Sequence, residues 1–586
     1  MTVEENNGVD PEETLAIGIS FGNSNSGIAY TTAEGKAEVI ANEEGDRQIP
    51  SILSYIGGEE FHGTQAKAQL VRNSQNTVAY FRDYIGKEFE SIDPTPCHAS
   101  AHPQKHDSTV SFSIQDVGAD SPHDVSVSEI TTRHIRRLAS SASDYLGKKV
   151  NATVITVPTN FSDAQKEALS KSASSAGVDL LQVIPEPVSA VLAYDARPES
   201  KISDKLVVVA DFGGTRSDVA VIASRGGMYS ILSTAHDYSL GGAQLDNVLI
   251  DHFAKEFLKK NKSSSDPRSS PRGLAKLRLE AEATKRALSI GATASLSVES
   301  LSDGLDFSST INRTRYEMLA SKVFASFTKL IEEAVRKAEL DVLDINEVIL
   351  SGGTSHTPRI AANLSSLFPP TTTVLSPSTS ATAINPSDLA ARGAAIQASL
   401  IQEFEKEDIE QSSHPMVTVT PHLSRAIGVL VVSENVEKGV FRPLAEAETG
   451  VPLRRAGEFA VPRDGGDVII KICEGISHIK VSKPPAKPKG EKKTNGKAAS
   501  DDEDDLSDED ESEDEPEDVR EKAWKVGNVL AETTIKGVKK GGKVEISVTV
   551  NADLTVLVTA REVGGKAGNG VRGRLEKPQV TENGSA

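Results

Sequence analysis

The apolar positions of this chain fall into short runs that stop abruptly at small or acidic residues. In Leu206 to Ile222, LVVVADFGGTRSDVAVI, one run ends at Asp211, the chain turns through two glycines, and a second run follows. That pattern predicts two strands around a phosphate-sized turn with a carboxylate at its mouth, because glycines let backbone N–H groups approach an anion closely. Leu15 to Tyr30, LAIGISFGNSNSGIAY, repeats the layout with Ser20 in the place of Asp211. Val150 to Val157 reads as another strand, and Ser162 with Gln165 has the capping-box spacing that opens a helix through Ala173. Leu319, Val323, Phe327, Leu330, Ile331 and Val335 recur at helical spacing and predict one core-facing helix from Tyr316 to Leu340. Asn346 to Gly353 is a strand ending in the glycine turn SGGT. Strands alternating with helices over residues 14–402 predict α/β architecture.

The pattern changes after Gln402. Residues 403–415 are charged, with Ile409 their single aliphatic side chain, and read as a linker. Over residues 416–563 the runs become strand-like: VTVTP, IGVLVV, FAVP, DVIIKICEG, VGNVLAETTI, KVEISVTV and LTVLVTAREV. They are interrupted at 482–520 by a Lys- and Pro-rich stretch followed by an almost pure run of Asp, Glu and Ser. Such a segment buries too little apolar surface to fold, so it is expected to be a disordered insertion in one hairpin loop. Residues 1–13 and 564–586 are polar and are expected to be disordered as well.

Composition narrows the function classes. The chain has 586 residues and a formal net charge of -20, which disfavours broad affinity for nucleic acid or anionic membrane. Cys97 and Cys473 are the only cysteines, too few for a disulfide framework. The N-terminus is acidic, unlike a signal or transit peptide, and no apolar run is long enough to cross a bilayer. A cytoplasmic protein is expected. The twelve histidines lack metal-ligand spacing and read as surface or structural residues, so no metal site is predicted.

Four glycine turns occur in order: GISFGNSNSG, ADFGGTRSD, SLGGAQLD and SGGTSHTP. With NTVAYFRDYIGK, VITVPTNFSDAQKEAL, VIPEPVSAVLAY, EATKRALS and NPSDLAARGAAIQA, they resemble the actin-like ATPases, specifically the seventy-kilodalton heat-shock chaperones. The resemblance is strong over residues 15–402 and weak over 416–563. It implies a two-lobed actin-like nucleotide domain followed by a short all-β, peptide-binding-like domain. No amphipathic helical run follows the last strand, so no helical lid is expected.

The resemblance also implies roles. Phosphate contacts fall at Gly22, Asn23, Ser24, Gly213, Gly214, Thr215, Arg216, Gly241 and Gly242. Adenosine contacts fall at Glu282, Lys285, Arg286, Ser289, Gly352, Gly353 and Thr354. His356 stands where the family has an arginine on the base, and Ser387 where it has an Asp. Three catalytic positions depart from the family: an acid becomes Ser20, a lysine becomes Arg82, and a phosphate-facing threonine becomes Arg216. Glu186 and Asp211 match the family's remaining acids. Neutral Ser20 lacks the charge that favours a hydrated magnesium ion, and Arg is not a substitute for Lys in proton chemistry. ATP binding with little or no hydrolysis is therefore expected, with Arg82 or Arg216 available to pair with a phosphate.

These departures match an atypical, Ssz-type branch of the family, found in the fungal ribosome-associated complex. Its members imply a stable heterodimer with a J-domain protein resembling zuotin, a place at the ribosome, nascent-chain contact, and stimulation of a separate, catalytically active chaperone. An ordinary ATP-cycling chaperone and an actin-fold small-molecule kinase are the alternatives.

Overall fold

The computed structural model describes residues 15–92, 100–115, 122–197, 203–225, 227–338, 340–402, 423, 425–433, 436–445, 451–460, 466–482, 519–551, 553–564 and 570–575. The expected disordered N-terminus, the linker at 403–415, residues 483–518 of the insertion, residues 576–586 and Cys97 lie outside the described residues. The chain divides into two compact units, residues 1–419 and 420–586.

Two mixed sheets of the first unit repeat one plan. In one, the central strand Ala16–Phe21 pairs in parallel with Ala152–Val157, which pairs in parallel with Asp179–Pro185; on its other side, antiparallel pairings lead to Asn25–Thr31 and Ala37–Ile40. In the other, the central strand Lys205–Phe212 leads by parallel pairings to Glu347–Ser351 and Thr373–Leu375, and by antiparallel pairings to Ser217–Arg225 and Met228–Asp237. Both central strands are buried almost throughout, which explains why they read as continuous apolar runs rather than alternating ones. Each sheet has its own large core. One gathers Ile17, Ile19, Phe21, Phe81, Ile130 and Ile155; the other gathers Val208, Phe212, Val221, Phe253, Phe327 and Leu350.

Helices Glu186–Asp195 and Leu389–Gln402 tie these sheets together. Ala394, Ala398 and Ile401 pack on Ala16 and Val154, while Leu389 packs with Val191, Val207 and Val209. The contact is close enough that a Cβ on Gly393 would lie 1.9 Å from the Ser189 carbonyl oxygen, so only glycine fits. Helix Asp163–Ser175 starts with the expected Ser162–Gln165 capping box. The helix expected from Tyr316 to Leu340 is two helices, Arg313–Leu319 and Ser321–Lys337. Ala320, fully buried, leaves helical geometry between them, and its N–H still bonds to the Tyr316 carbonyl, so the apolar stripe continues across the break.

In the second unit, every described element is a strand. One four-stranded sheet has the order Val436–Ala445, Ala426–Ser433, Gly466–Ser482, Val519–Val538; the other has the order Leu453–Ala460, Lys543–Val550, Val556–Glu562, Gly570–Leu575. Ile427, Val429, Ile470 and Ile472 of the first share one core with Val544, Ile546, Val548 and Val558 of the second. Ser482 pairs with Val519, so residues 483–518 join the two strands of one hairpin and the strands themselves take the ends of the expected insertion. The tail expected to be disordered from residue 564 carries the strand Gly570–Leu575, which completes a sheet edge despite its polar sequence.

Candidate functional site

The two central strands end in equivalent turns. Phe21 pairs with Ser26 around Gly22–Asn25, and Phe212 pairs with Ser217 around Gly213–Arg216. The turns touch: Asn23 Nδ2 donates to Thr215 Oγ1 at 3.0 Å, and a Cβ on Gly214 would lie 2.3 Å from Ser24 Oγ. Beside them is a cavity of about 620 Å³. Its walls bring together Ser20, Gly22, Asn23, Ser24, Arg82, Glu186, Asp211, Gly213, Gly214, Thr215, Arg216, Glu282, Lys285, Arg286, Ser289, Gly352, Gly353, Thr354, His356 and Ser387. Gly241 and Gly242 instead sit behind the second turn, where the N–H groups of Gly242 and Ala243 bond to the carbonyls of Gly213 and Gly214 at 3.0 and 2.8 Å.

At one end of the cavity the charges form a closed chain. Arg82, 3% exposed, donates from Nη1 to Glu186 Oε1 at 2.9 Å and to the Phe21 carbonyl at 3.2 Å, and from Nε and Nη2 to Asp83. Asp83 also lies 3.4 Å from Arg216 Nη1. Arg216, 5% exposed, forms a two-pronged pair with Asp218, reaches Asn160 Oδ1 at 3.1 Å, and stacks 4.3 Å above the Tyr238 ring. The order is Glu186, Arg82, Asp83, Arg216, Asp218. Both guanidinium groups are bound to carboxylates of the chain itself, so a phosphate expected to pair with either arginine would compete with those carboxylates.

The acids respond to this crowding. Asp218 sits directly across the strand pair from Asp211. Burial and the Asp218 charge push Asp211 above the usual carboxylate range, against a 3.1 Å hydrogen bond from Ser351 Oγ. Burial likewise lifts Glu186, with Arg82 opposing and Asp211 and Asp218 adding to the shift. For Arg216, burial opposes the charge, but Asp218 and Asp83 more than offset it and hold the guanidinium ionised. Asp83, Asn160, Asp218 and Tyr238 did not stand out in the sequence. Asp218 had a usable signal, since residues two apart in a strand share a face with Arg216.

Toward the other end, Glu282 accepts from Lys67 at 2.7 Å and Arg286 at 2.6 Å. Lys285 bonds to Asp246 and to the Gly242 carbonyl, and Ser289 to the Lys285 carbonyl. His356 Nε2 lies 3.0 Å from Asn385 Oδ1 and 3.2 Å from Ser387 Oγ, and burial holds its ring below its ordinary pKa. Gly352 has φ +81°, and a Cβ there would meet Asp211 Oδ1 at 2.5 Å, so this turn requires glycine. Ile290, 91% exposed at a helix end, also lines the cavity and gives it an apolar face.

The residues fit a nucleotide. Ser24 Oγ and Asn23 Oδ1 are buried with no partner among the described residues, beside two glycine turns, as expected where a ligand completes the hydrogen bonding. They do not fit a hydrated divalent cation. Ser20 is neutral, and Glu186, Asp83 and Asp218 are already matched by guanidinium groups. Among the described residues, no group of three or more His, Cys, Asp and Glu side chains is arranged to hold a metal ion.

Twin mixed α/β sheets with a cavity at their paired turns fit an actin-like ATPase fold. Residues 16–484 match the family model described as Hsp70 protein, and the chain belongs to the Hsp70 family. It is 43% identical over 562 residues to the Saccharomyces cerevisiae protein named ribosome-associated complex subunit SSZ1, covering 95% of this chain and 99% of that one. It is also 43% identical over 570 residues to a heat shock protein 70 homolog of Schizosaccharomyces pombe, covering 96% of each. The Oryza sativa heat shock 70 kDa protein BIP3 is 33% identical over 474 residues, 78% of this chain and 66% of that one. Membership of this family implies nucleotide binding. No helix of the described residues is long and apolar enough to cross a membrane.

Proposed function

We propose that this chain is a chaperone-like subunit that binds ATP, without need of magnesium, and hydrolyses it little or not at all. One observation carries the reading: the ion chain from Glu186 to Asp218 fills the phosphate end of the cavity with charges that already satisfy one another. Phosphoryl transfer needs a cation and a base placed for the reaction. Here Arg82 and Arg216 are committed to Asp83, Glu186 and Asp218, and Ser20 supplies no charge. Bound ATP then stabilises the fold by mass action instead of driving a cycle.

The likeness to a ribosome-associated complex subunit over nearly the whole chain supports the wider role. The chain forms a stable heterodimer with a J-domain protein resembling zuotin, associates with ribosomes in the cytoplasm, and supports co-translational folding by stimulating a separate ATP-hydrolysing chaperone. The second unit serves as a docking surface for that partner. Calorimetric ATP titration with and without magnesium, paired with single-turnover hydrolysis, tests the first part; turnover comparable to that of a working Hsp70 would sink it. Affinity purification from the source cells tests the second, with a stoichiometric J-domain partner and ribosomes as the expected result. A promiscuous set of clients with no such partner would favour an ordinary cycling chaperone.

A further inference from the structure

Helix Val127–Leu146 carries His134 into the core behind the first turn. The ring is wedged between Phe21 and Phe81, with centroids 5.9 and 5.7 Å away. His134 Nε2 lies 2.9 Å from Ser26 Oγ, Ser26 Oγ lies 2.9 Å from Ser51 Oγ, and Ser51 Oγ lies 2.8 Å from the Gly22 carbonyl oxygen. All three side chains are buried. Ser51 also donates its backbone N–H to the Ser24 carbonyl at 3.0 Å, so it grips both ends of the Gly22–Ser24 stretch.

The protons in this chain have a single arrangement. A carbonyl only accepts, so the one hydroxyl hydrogen of Ser51 goes to Gly22. Ser26 must then donate to Ser51, since otherwise two oxygens would sit 2.9 Å apart with no hydrogen between them. Ser26 has no second hydrogen and accepts from His134, which must carry its hydrogen on Nε2. The remaining ring nitrogen, Nδ1, is buried and has no partner among the described residues, as a bare lone pair in a neutral ring would be.

We propose that His134, as its Nε2–H tautomer, is a positioning residue for the first phosphate turn: through Ser26 and Ser51 it fixes the Gly22 carbonyl and thereby the way Asn23 and Ser24 meet the phosphates of a nucleotide. This rests on the reading of the cavity as a nucleotide site. The turn holds no charge of its own to orient it, and a directional chain of buried neutral hydrogen bonds does so instead.

Two measurements on the full chain test the proposal. Nitrogen-15 histidine labelling with long-range proton–nitrogen correlation should find His134 protonated at Nε2 and bare at Nδ1 at neutral pH; an Nδ1–H tautomer overturns the relay. ATP affinity by calorimetry should fall about fivefold in H134F, the effect of losing one buried hydrogen bond, and stay within about twofold in H134Q, whose amide still donates. S51A should weaken binding similarly, and the double variant H134F/S51A should lose no more than either alone, because both cut one chain. Equal affinity in wild type, H134F and S51A overturns the proposal. If wild type binds no ATP, the nucleotide reading fails, and the tautomer still decides whether the relay exists.

Discussion

At the ends of the two central strands, Ser20 faces Gly27 across one sheet and Asp211 faces Asp218 across the other. The parallel neighbours also correspond, Thr156 beside Ser20 and Ser351 beside Asp211. The backbone plan is the same, but the means of holding it differ. The second turn places two carboxylates opposite each other and needs Arg216 to make that tolerable. The first has no charge at the equivalent positions, and Ser51 ties it down with neutral hydrogen bonds. One consequence is where unsatisfied polar atoms remain: Ser24 Oγ and Asn23 Oδ1 in the first turn are buried with no partner among the described residues, while Arg216 in the second is paired with Asp218. An actin-like pair of turns can thus keep one geometry with charges held in one turn and none at the equivalent positions of the other.

The largest test of this contrast removes the counter-ion. D218A leaves Arg216 buried with only the more distant Asp83, and should cost about 3 kcal/mol in urea unfolding of the first unit, as for other broken buried pairs. A loss below about 1 kcal/mol would mean the ion chain does not hold the second turn.

Acid should separate the two turns next. Burial pushes His134 down to about 3 from its ordinary 6.5, with His62 adding to the shift. Above pH 6.5 neither the folded nor the unfolded chain protonates this ring, so it contributes no pH dependence. Below 6.5 the unfolded chain takes up a proton that the folded chain refuses until about pH 3, and stability falls by about 1.4 kcal/mol per pH unit. Asp211 and Glu186, raised by burial, act in the opposite direction, because the folded chain takes up their protons first. Comparing wild type with H134Q cancels the carboxylates. Between pH 6.5 and 4.5, wild type should lose about 2 kcal/mol more than the variant, and parallel stability curves would contradict a neutral buried His134.

Smaller effects probe the open atoms of the first turn. S24A should weaken ATP binding by about fivefold with unchanged thermal stability, since its hydroxyl bonds to nothing among the described residues. T156V should change stability by less than about 0.5 kcal/mol, because Thr156 Oγ1 is also buried without a partner among the described residues, whereas its counterpart Ser351 bonds to Asp211. A clear loss in T156V would place an unrecognised partner beside Ser20.

Much of the fold was legible in order along the chain. The strand–turn–strand units, the capped helix at Ser162 and the alternation of elements all rest on local signals, namely apolar runs, glycine pairs and cap spacing. The break at Ala320 was hidden because the apolar stripe runs straight through it. The strand Gly570–Leu575 was hidden because an edge strand takes its hydrogen bonds from a neighbour and needs no apolar run of its own.

By itself the sequence determined which residues occupy the two turns, and it set Ser20, Arg82 and Arg216 where its resemblance to the family implies an acid, a lysine and a threonine. Only the tertiary structure decided what those replacements do. Arg82 and Arg216 both line the cavity, and their guanidinium groups are held there by nearby Asp83 and Asp218 and, across the fold, by Glu186 on Arg82 and Asp83 on Arg216. His134 looked like one scattered histidine among twelve. Its proposed role emerges only where a helix, a strand, the residue joining two other strands and a turn bring four polar groups into line, since hydrogen-bond direction is a property of positions in space and leaves no mark in local spacing.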